Sequence, residues 1–268
     1  MRHHIVIIAM LFMLSGCKEQ GKDTIAKENV SDQEDISQKY VGEEPTTPEA
    51  TETYEPIPPK ITLNDDYVPS DAIVLFDGSG LEEWVHVLDS SAAQWHVMED
   101  GSMMVKDKSG DIRTKRNFGS MQLHIEWKSP AEVINEGQSR ANSGIFIQQR
   151  YEIQIMDNND NATYTNGQVG SVYKQAVPLA MASAPSGEWN TFDIIFEAPE
   201  FNGEKLVKPA YVTVLHNGVL IQNHFEIEGS VKHVGWPSYE AHGKAPIQLQ
   251  DHGDNSRVSY RNIWVREL

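Results

Sequence analysis

Two short stretches of this chain carry acid, amide and imidazole side chains in a pattern that one face of a sheet could gather. In the first, Tyr151, Ile153 and Ile155 alternate with Glu152, Gln154 and Met156, and a period of two is that of a strand with one face on the core. Glu152 and Gln154 therefore share a face. In the second, Gln248 and Gln250 alternate with Ile247 and Leu249, and Asp251, His252 and Gly253 follow. A carboxylate and an imidazole together are equipment for proton transfer. Glu152 is the candidate base, and His252 is a candidate shuttle because its ring titrates near neutral pH. Asp157 is a third catalytic candidate, but it lies five residues beyond Glu152, so a regular strand would aim it at the opposite face and only a bulge or turn brings it in. Asn142, Gln154 and Gln250 offer neutral donors and acceptors suited to hydroxyl groups, and Arg150 and Arg261 are cations able to face a developing anion. Each has a plainer reading: a carboxylate solvated on an outer sheet face, a histidine capping a loop, arginines in surface ion pairs. The remaining histidines show no ligand spacing such as HExxH. No metal is assigned and no cofactor is predicted, with a divalent cation left open.

The elements that must position these residues read as strands. Ala72 to Phe76 is apolar and stops at Asp77 and Gly78. Trp95 to Met98 and Ser102 to Val105 flank a Glu99-Asp100-Gly101 turn, a hairpin signature. Met121, Leu123, Ile125 and Trp127 alternate with Gln122, His124, Glu126 and Lys128, an unbroken half-buried strand pattern. Asn217-Gly218 joins Tyr211–Leu215 to Val219–Phe225 and favours a tight hairpin turn. In the last segment Val258 and Tyr260 occupy even positions while Ile263 and Val265 occupy odd ones, which predicts a bulge near Arg261 and Asn262 or burial on both faces. About a dozen short strands without an amphipathic helix predict an all-β fold, an antiparallel β-sandwich or jelly roll of about 200 residues spanning 69–268.

The chain has 268 residues and a formal net charge of −17. Such acidity argues against a phosphate-binding surface, so no nucleic-acid partner is expected and an uncharged substrate fits better. The single cysteine, Cys17, excludes a disulfide framework and a catalytic thiol in the body of the protein. Residues 1–16 read as a signal peptide: Arg2, an apolar run from Ile5 to Leu14, then Ser15 and Gly16. Leu14 to Cys17 resembles a bacterial lipobox, which implies cleavage before Cys17, lipidation of that cysteine and a lipid-anchored protein of the bacterial cell envelope, on its periplasmic or surface face. An ordinary secretory signal is the plainer reading, and membrane partitioning of a Cys17→Ala chain decides between them. Residues 17–68 carry that cysteine and an acidic tether. Between positions 18 and 60 stand 11 acidic residues, 5 lysines and 5 prolines, too polar a composition to offset the entropy of ordering it.

Several motifs together resemble one family. They are LFDG at Leu75–Gly78, WHVMEDGSM from Trp95, NSGIF at Asn142–Phe146, YEIQIMDN at Tyr151–Asn158, GEWNTFDI at Gly187–Ile194, HNGV at His216–Val219, LQDHG at Leu249–Gly253 and YRNIWV at Tyr260–Val265. In this order they resemble the 3-keto-disaccharide hydrolase domain family, from about Ile73 to the C-terminus. The resemblance implies a concanavalin A-like jelly roll that cleaves a glycoside already oxidised at carbon 3. It also implies a separate 3-dehydrogenating oxidoreductase upstream. The ketone acidifies the hydrogen on carbon 2, so a base can remove it and expel the aglycone from carbon 1, with water adding afterwards. Such chemistry needs a base, a donor or cation for the enolate, and an acid for the leaving group.

Two other functions stay open at this point. Glu152, Gln154 and Asp157 loosely resemble the Glu-x-Asp-x-x-Glu strand of jelly-roll endoglucanases, although a retaining glycosidase needs two carboxylates about 5 Å apart. A carbohydrate-binding module is the other, since the same sandwich hosts lectins. The six tryptophans discriminate: solvent-facing rings favour binding, while buried rings beside a pocket of acid, amide and imidazole favour catalysis.

Overall fold

The computed structural model describes residues 43–65 and 67–268. The proposed signal peptide, Cys17 and the first part of the acidic segment lie outside the described residues. Two compact units are distinguished, with a boundary between Pro58 and Pro59. In the first, the described residues are exposed, and the one regular element among them is a 3₁₀ turn at Pro48–Thr51.

The second unit is built from fifteen strands, and no α-helix occurs among the described residues. In chain order they are β1 (Ile73–Phe76), β2 (Trp84–His86), β3 (His96–Val97), β4 (Met103–Met104), β5 (Ile112–Thr114), β6 (Met121–Lys128), β7 (Ser143–Ile147) and β8 (Tyr151–Ile155). There follow β9 (Asn190–Glu197), β10 (Glu200–Asn202), β11 (Lys205–Lys208), β12 (Tyr211–His216), β13 (Val219–Glu226), β14 (Gln248–Leu249) and β15 (Ser259–Glu267). The larger sheet runs β13-β12-β9-β6-β15-β4-β3, with β1 added against β15; the smaller runs β2-β5-β14-β7-β8; β10 and β11 form a separate ribbon. The named pairings are antiparallel. This is the antiparallel sandwich that the strand spacing predicts.

The core lies between the sheets because alternation delivers apolar side chains there. Met121, Leu123, Ile125 and Trp127 are buried from β6, and Phe192, Ile194 and Phe196 from β9. They join one cluster with Ile145 and Ile147 of β7, Tyr151, Ile153 and Ile155 of β8, and Leu249 of β14. Tyr151 meets Phe196 across the interface, ring centroids 5.6 Å apart. Each such large side chain contributes roughly 1.5–3 kcal/mol on burial. The parity change in β15 is a bulge: its register against β6 shifts between Arg261 and Trp264, and Asn262 sits at φ 46°. Asn217 and Gly218, both at positive φ, close the β12–β13 hairpin.

Strands β2, β5, β10 and β11 add to those the sequence pattern predicts, and one expectation is corrected. β8 is buried on both faces rather than one, for a reason that concerns the site.

Candidate active site

Register across three strands of the smaller sheet assembles the polar face. Phe146 of β7 lies opposite Glu152 of β8 on one side and Gln248 of β14 on the other. One row along, Gly144 lies opposite Gln154, and the backbone N–H of Gln250 donates to the Gly144 carbonyl at 3.1 Å. Residues directly opposite in an antiparallel pair share a face. The glycine in the Asn142–Phe146 motif has a defined task here, since a Cβ on Gly144 would stand 2.5 Å from Glu152 Oε1. The carboxyl of Glu152 lies over the space a side chain at 144 would fill.

Chain segments outside the sheet roof this face. β8 is an edge strand, and its free edge is taken up by the segment that follows: Gly170 N donates to Gln154 O (2.8 Å), Gln154 N to Ser171 O (3.1 Å) and Tyr173 N to Glu152 O (3.1 Å). Val231 N donates to Arg150 O at 2.8 Å, which draws the 229–235 loop over the strand ends. The pocket between them, about 350 Å³, is lined by Asn142, Phe146, Glu152, Gln154, Tyr173, Val231, His233, Gln250 and His252. Five of the residues singled out from sequence therefore meet in one cavity: Glu152, Gln154, Asn142, Gln250 and His252.

The electrostatics of the pocket suit proton transfer. Glu152 is 5% exposed, and among the described residues no cation or side-chain donor is hydrogen-bonded to its carboxyl. Burial, with a smaller push from Asp111, raises its pKa to about 8. His252 stands at the rim with Nδ1 2.8 Å from Asp254 Oδ2, and this hydrogen bond raises the imidazole above its ordinary value. The amide groups are held by their nitrogens. Asn142 Nδ2 donates to Gln138 O (2.6 Å) and Gln154 Nε2 to Gln138 Oε1 (3.2 Å). Their oxygens, and that of Gln250, are buried without a protein partner. Buried acceptors of this kind are costly unless something satisfies them, so the pocket is prepared for a ligand with several hydroxyl groups.

Three predicted residues lie elsewhere. Asp157 falls beyond the end of β8 and is buried against Arg140, with Oδ2 3.2 Å from Nε and 3.1 Å from Nη2. It also accepts hydrogen bonds from Ser186 Oγ (2.6 Å) and from both nitrogens of Asn159 (3.0 Å each). Burial would raise its pKa, but Ser186, Asn159 and Arg140 outweigh that and hold it below the usual range. Arg150 directs its guanidinium at the Gln148 carbonyl, 2.9 Å away, and serves the pocket only through the backbone bond to Val231. Arg261 belongs to the other sheet. Its place just before the β15 bulge pairs it with Glu126 at 2.7 Å and lays it over the Trp189 ring, 4.1 Å from the centroid. Conversely Phe146, Tyr173, Val231, His233 and Asp254 were missed. Asp254, two residues past His252, is the one with a readable local signal. Among the described residues, no group of three or more His, Cys, Asp or Glu side chains is arranged to hold a metal ion.

The smaller sheet of this antiparallel β-sandwich thus gathers a buried carboxyl, an imidazole–carboxylate pair and unpartnered amide oxygens around one pocket. The chain belongs to the 3-keto-alpha-glucoside-1,2-lyase-like domain family, whose model matches residues 71–266; it is the 3-keto-disaccharide hydrolase family that the motifs resemble. A crystal structure described as a "putative glycosyl hydrolase" from Parabacteroides distasonis ATCC 8503 is similar at 49% identity and TM-score 0.80, covering 83% of this chain and 97% of that one. A second structure of the same description and organism, at 23% identity and TM-score 0.57 over 74% of this chain and 94% of its own, shares the fold. No curated protein matches.

Proposed function

We propose that this protein is a glycoside-acting, hydrolase-like enzyme that cleaves 3-keto-glycosides by removing the proton on carbon 2 and expelling the aglycone from carbon 1. The observation that carries the reading is Glu152: a buried carboxyl without a paired cation, in the same pocket as a histidine with its own carboxylate. A carboxylate whose pKa is raised toward the working pH is a stronger base than an exposed one, and proton abstraction beside a ketone needs that strength. Glu152 takes the carbon-2 proton, and the electrons move into a carbon 2–carbon 3 enolate. Their return expels the carbon-1 oxygen, which takes a proton from His252. Asp254 keeps that imidazole protonated and fixes its orientation. The products are the aglycone alcohol and a 1,2-unsaturated 3-keto sugar, to which water can add. The hydroxyl of Tyr173 and the ring of His233, which line the pocket, supply polar hydrogens for the ketone oxygen in place of Arg150 and Arg261.

The geometry disfavours the rival readings. A retaining glycosidase needs a second free carboxylate beside Glu152, and Asp157 is tied to Arg140. Four of the six tryptophans, Trp84, Trp95, Trp127 and Trp264, are buried, which argues against a simple binding module. Purified domain incubated with a glucoside and with its 3-keto counterpart tests the proposal. Turnover of the 3-keto sugar alone is expected; equal turnover of the unoxidised glucoside would overturn it, and binding of either without turnover would favour the module.

A further inference from the structure

A second cavity adjoins the first. It measures about 310 Å³, shares Tyr173 and His233 with the catalytic pocket, and is walled on the far side by Lys232, Trp236 and Pro237. Trp236 is 88% exposed, in contrast to the four buried tryptophans. A ring left in water at that level forgoes the burial that makes tryptophan favourable in cores and interfaces. The loop that holds it is anchored. Gln175 Nε2 donates to Gly229 O (3.0 Å), Ser230 pairs with Ser238 across its base, and Lys232 Nζ donates to Ser238 Oγ (2.8 Å). Lys174 Nζ is hydrogen-bonded to the His233 carbonyl. Gly229, at φ 134°, lets the two strands of the loop close, because a Cβ there would stand 2.4 Å from the Ser238 backbone. The indole is thus presented by a braced loop at the mouth of the pocket.

We propose that this cavity is the leaving-group subsite and takes a second pyranose ring, stacked on Trp236. The inference rests on the reaction proposed above. With the oxidised ring among Glu152, Gln154 and Gln250, the group attached through carbon 1 extends over Tyr173 and His233, the residues common to both cavities. The chemistry of the lining points to a sugar rather than a flat apolar aglycone. An aromatic platform suits the C–H face of a pyranose, and Asn166, Gln175, Glu228 and Lys232 around it offer donors and acceptors for hydroxyl groups.

The test compares three substrates, a 3-keto-disaccharide, a methyl 3-keto-glucoside and a phenyl 3-keto-glucoside, with wild type, Trp236→Ala and Trp236→Phe. Trp236→Ala should lower kcat/KM for the disaccharide about tenfold, mainly through KM. The methyl glucoside should change less than about twofold, and Trp236→Phe should recover most of the disaccharide rate. Equal effects on the disaccharide and methyl substrates, or none on either, would overturn the subsite while leaving the reaction intact. A larger loss on the phenyl glucoside than on the disaccharide would overturn the sugar as occupant. Failure of the wild type on all three would instead overturn the reaction itself, and the subsite with it.

Discussion

Glu152→Gln is expected to lower kcat on a 3-keto-glycoside by about 10² to 10⁴, the range typical for loss of a positioned base, and at the same time to raise thermal stability at alkaline pH. The two effects share one cause. In the folded protein Glu152 titrates near 8, against an ordinary value of 4.5, so the fold holds that proton more tightly than the unfolded chain does. Stability is unaffected below the unfolded value, where both states are protonated. It falls as pH rises from about 4.5, where the unfolded carboxyl ionises first, and the loss is complete above about 8. Glutamine has no proton to lose. The Tm of Glu152→Gln should therefore match wild type near pH 4 and exceed it by several degrees at pH 8 to 9, as a penalty of a few kcal/mol would give in a domain this size. Activity in the wild type should rise with pH as Glu152 ionises and decline once His252 gives up its proton. Thermal melts across pH and steady-state kinetics read both halves. A variant with full activity, or one equally destabilised at every pH, contradicts this role for Glu152.

Asp157→Ala should do the reverse: cost stability and spare the chemistry. Removing the carboxylate leaves the Arg140 guanidinium buried without its counter-charge, a change that costs about 3–5 kcal/mol, or a Tm lower by about 10 °C. The carboxyl titrates below its ordinary value of 3.8 in the fold, so its contribution is full above that pH and fades as pH falls through the depressed folded value. The gap between variant and wild type should narrow accordingly in acid. The kcat of the folded variant should stay within about threefold of wild type, since the Asp157 carboxylate bonds to Arg140, Ser186 and Asn159 and to no residue lining the pocket. A hundredfold loss of kcat at unchanged Tm would return Asp157 to the catalytic set.

The contrast between these two acids shows what the chain discloses locally. Period two in Tyr151–Ile155 is a backbone property, so the shared face of Glu152 and Gln154 was readable, as were the β6 alternation, the Asn217-Gly218 turn and the β15 bulge. Pairing of β7 between β8 and β14 was not, because register between strands distant in sequence depends on the whole sandwich. The family motifs supplied that link for Asn142, Gln250 and His252. In sequence Asp157 reads as a site residue because a carboxylate five positions past Glu152 looks available; in the fold it lies outside the pocket lining, against Arg140, 17 residues earlier. Tyr173 and His233 left no trace, since they arrive on covering segments without periodicity, and the same cover explains why β8 is buried on both faces.

The most direct test of carbon-2 proton abstraction is the fate of a label at that carbon. A 3-keto-glycoside carrying deuterium at carbon 2 is turned over by the enzyme in ordinary water, and the sugar product is read by mass spectrometry against an enzyme-free control for spontaneous exchange. Proton abstraction by Glu152 predicts a product stripped of deuterium, whether it stops at the unsaturated sugar or is hydrated afterwards. A cleaved sugar that retains its deuterium would contradict it.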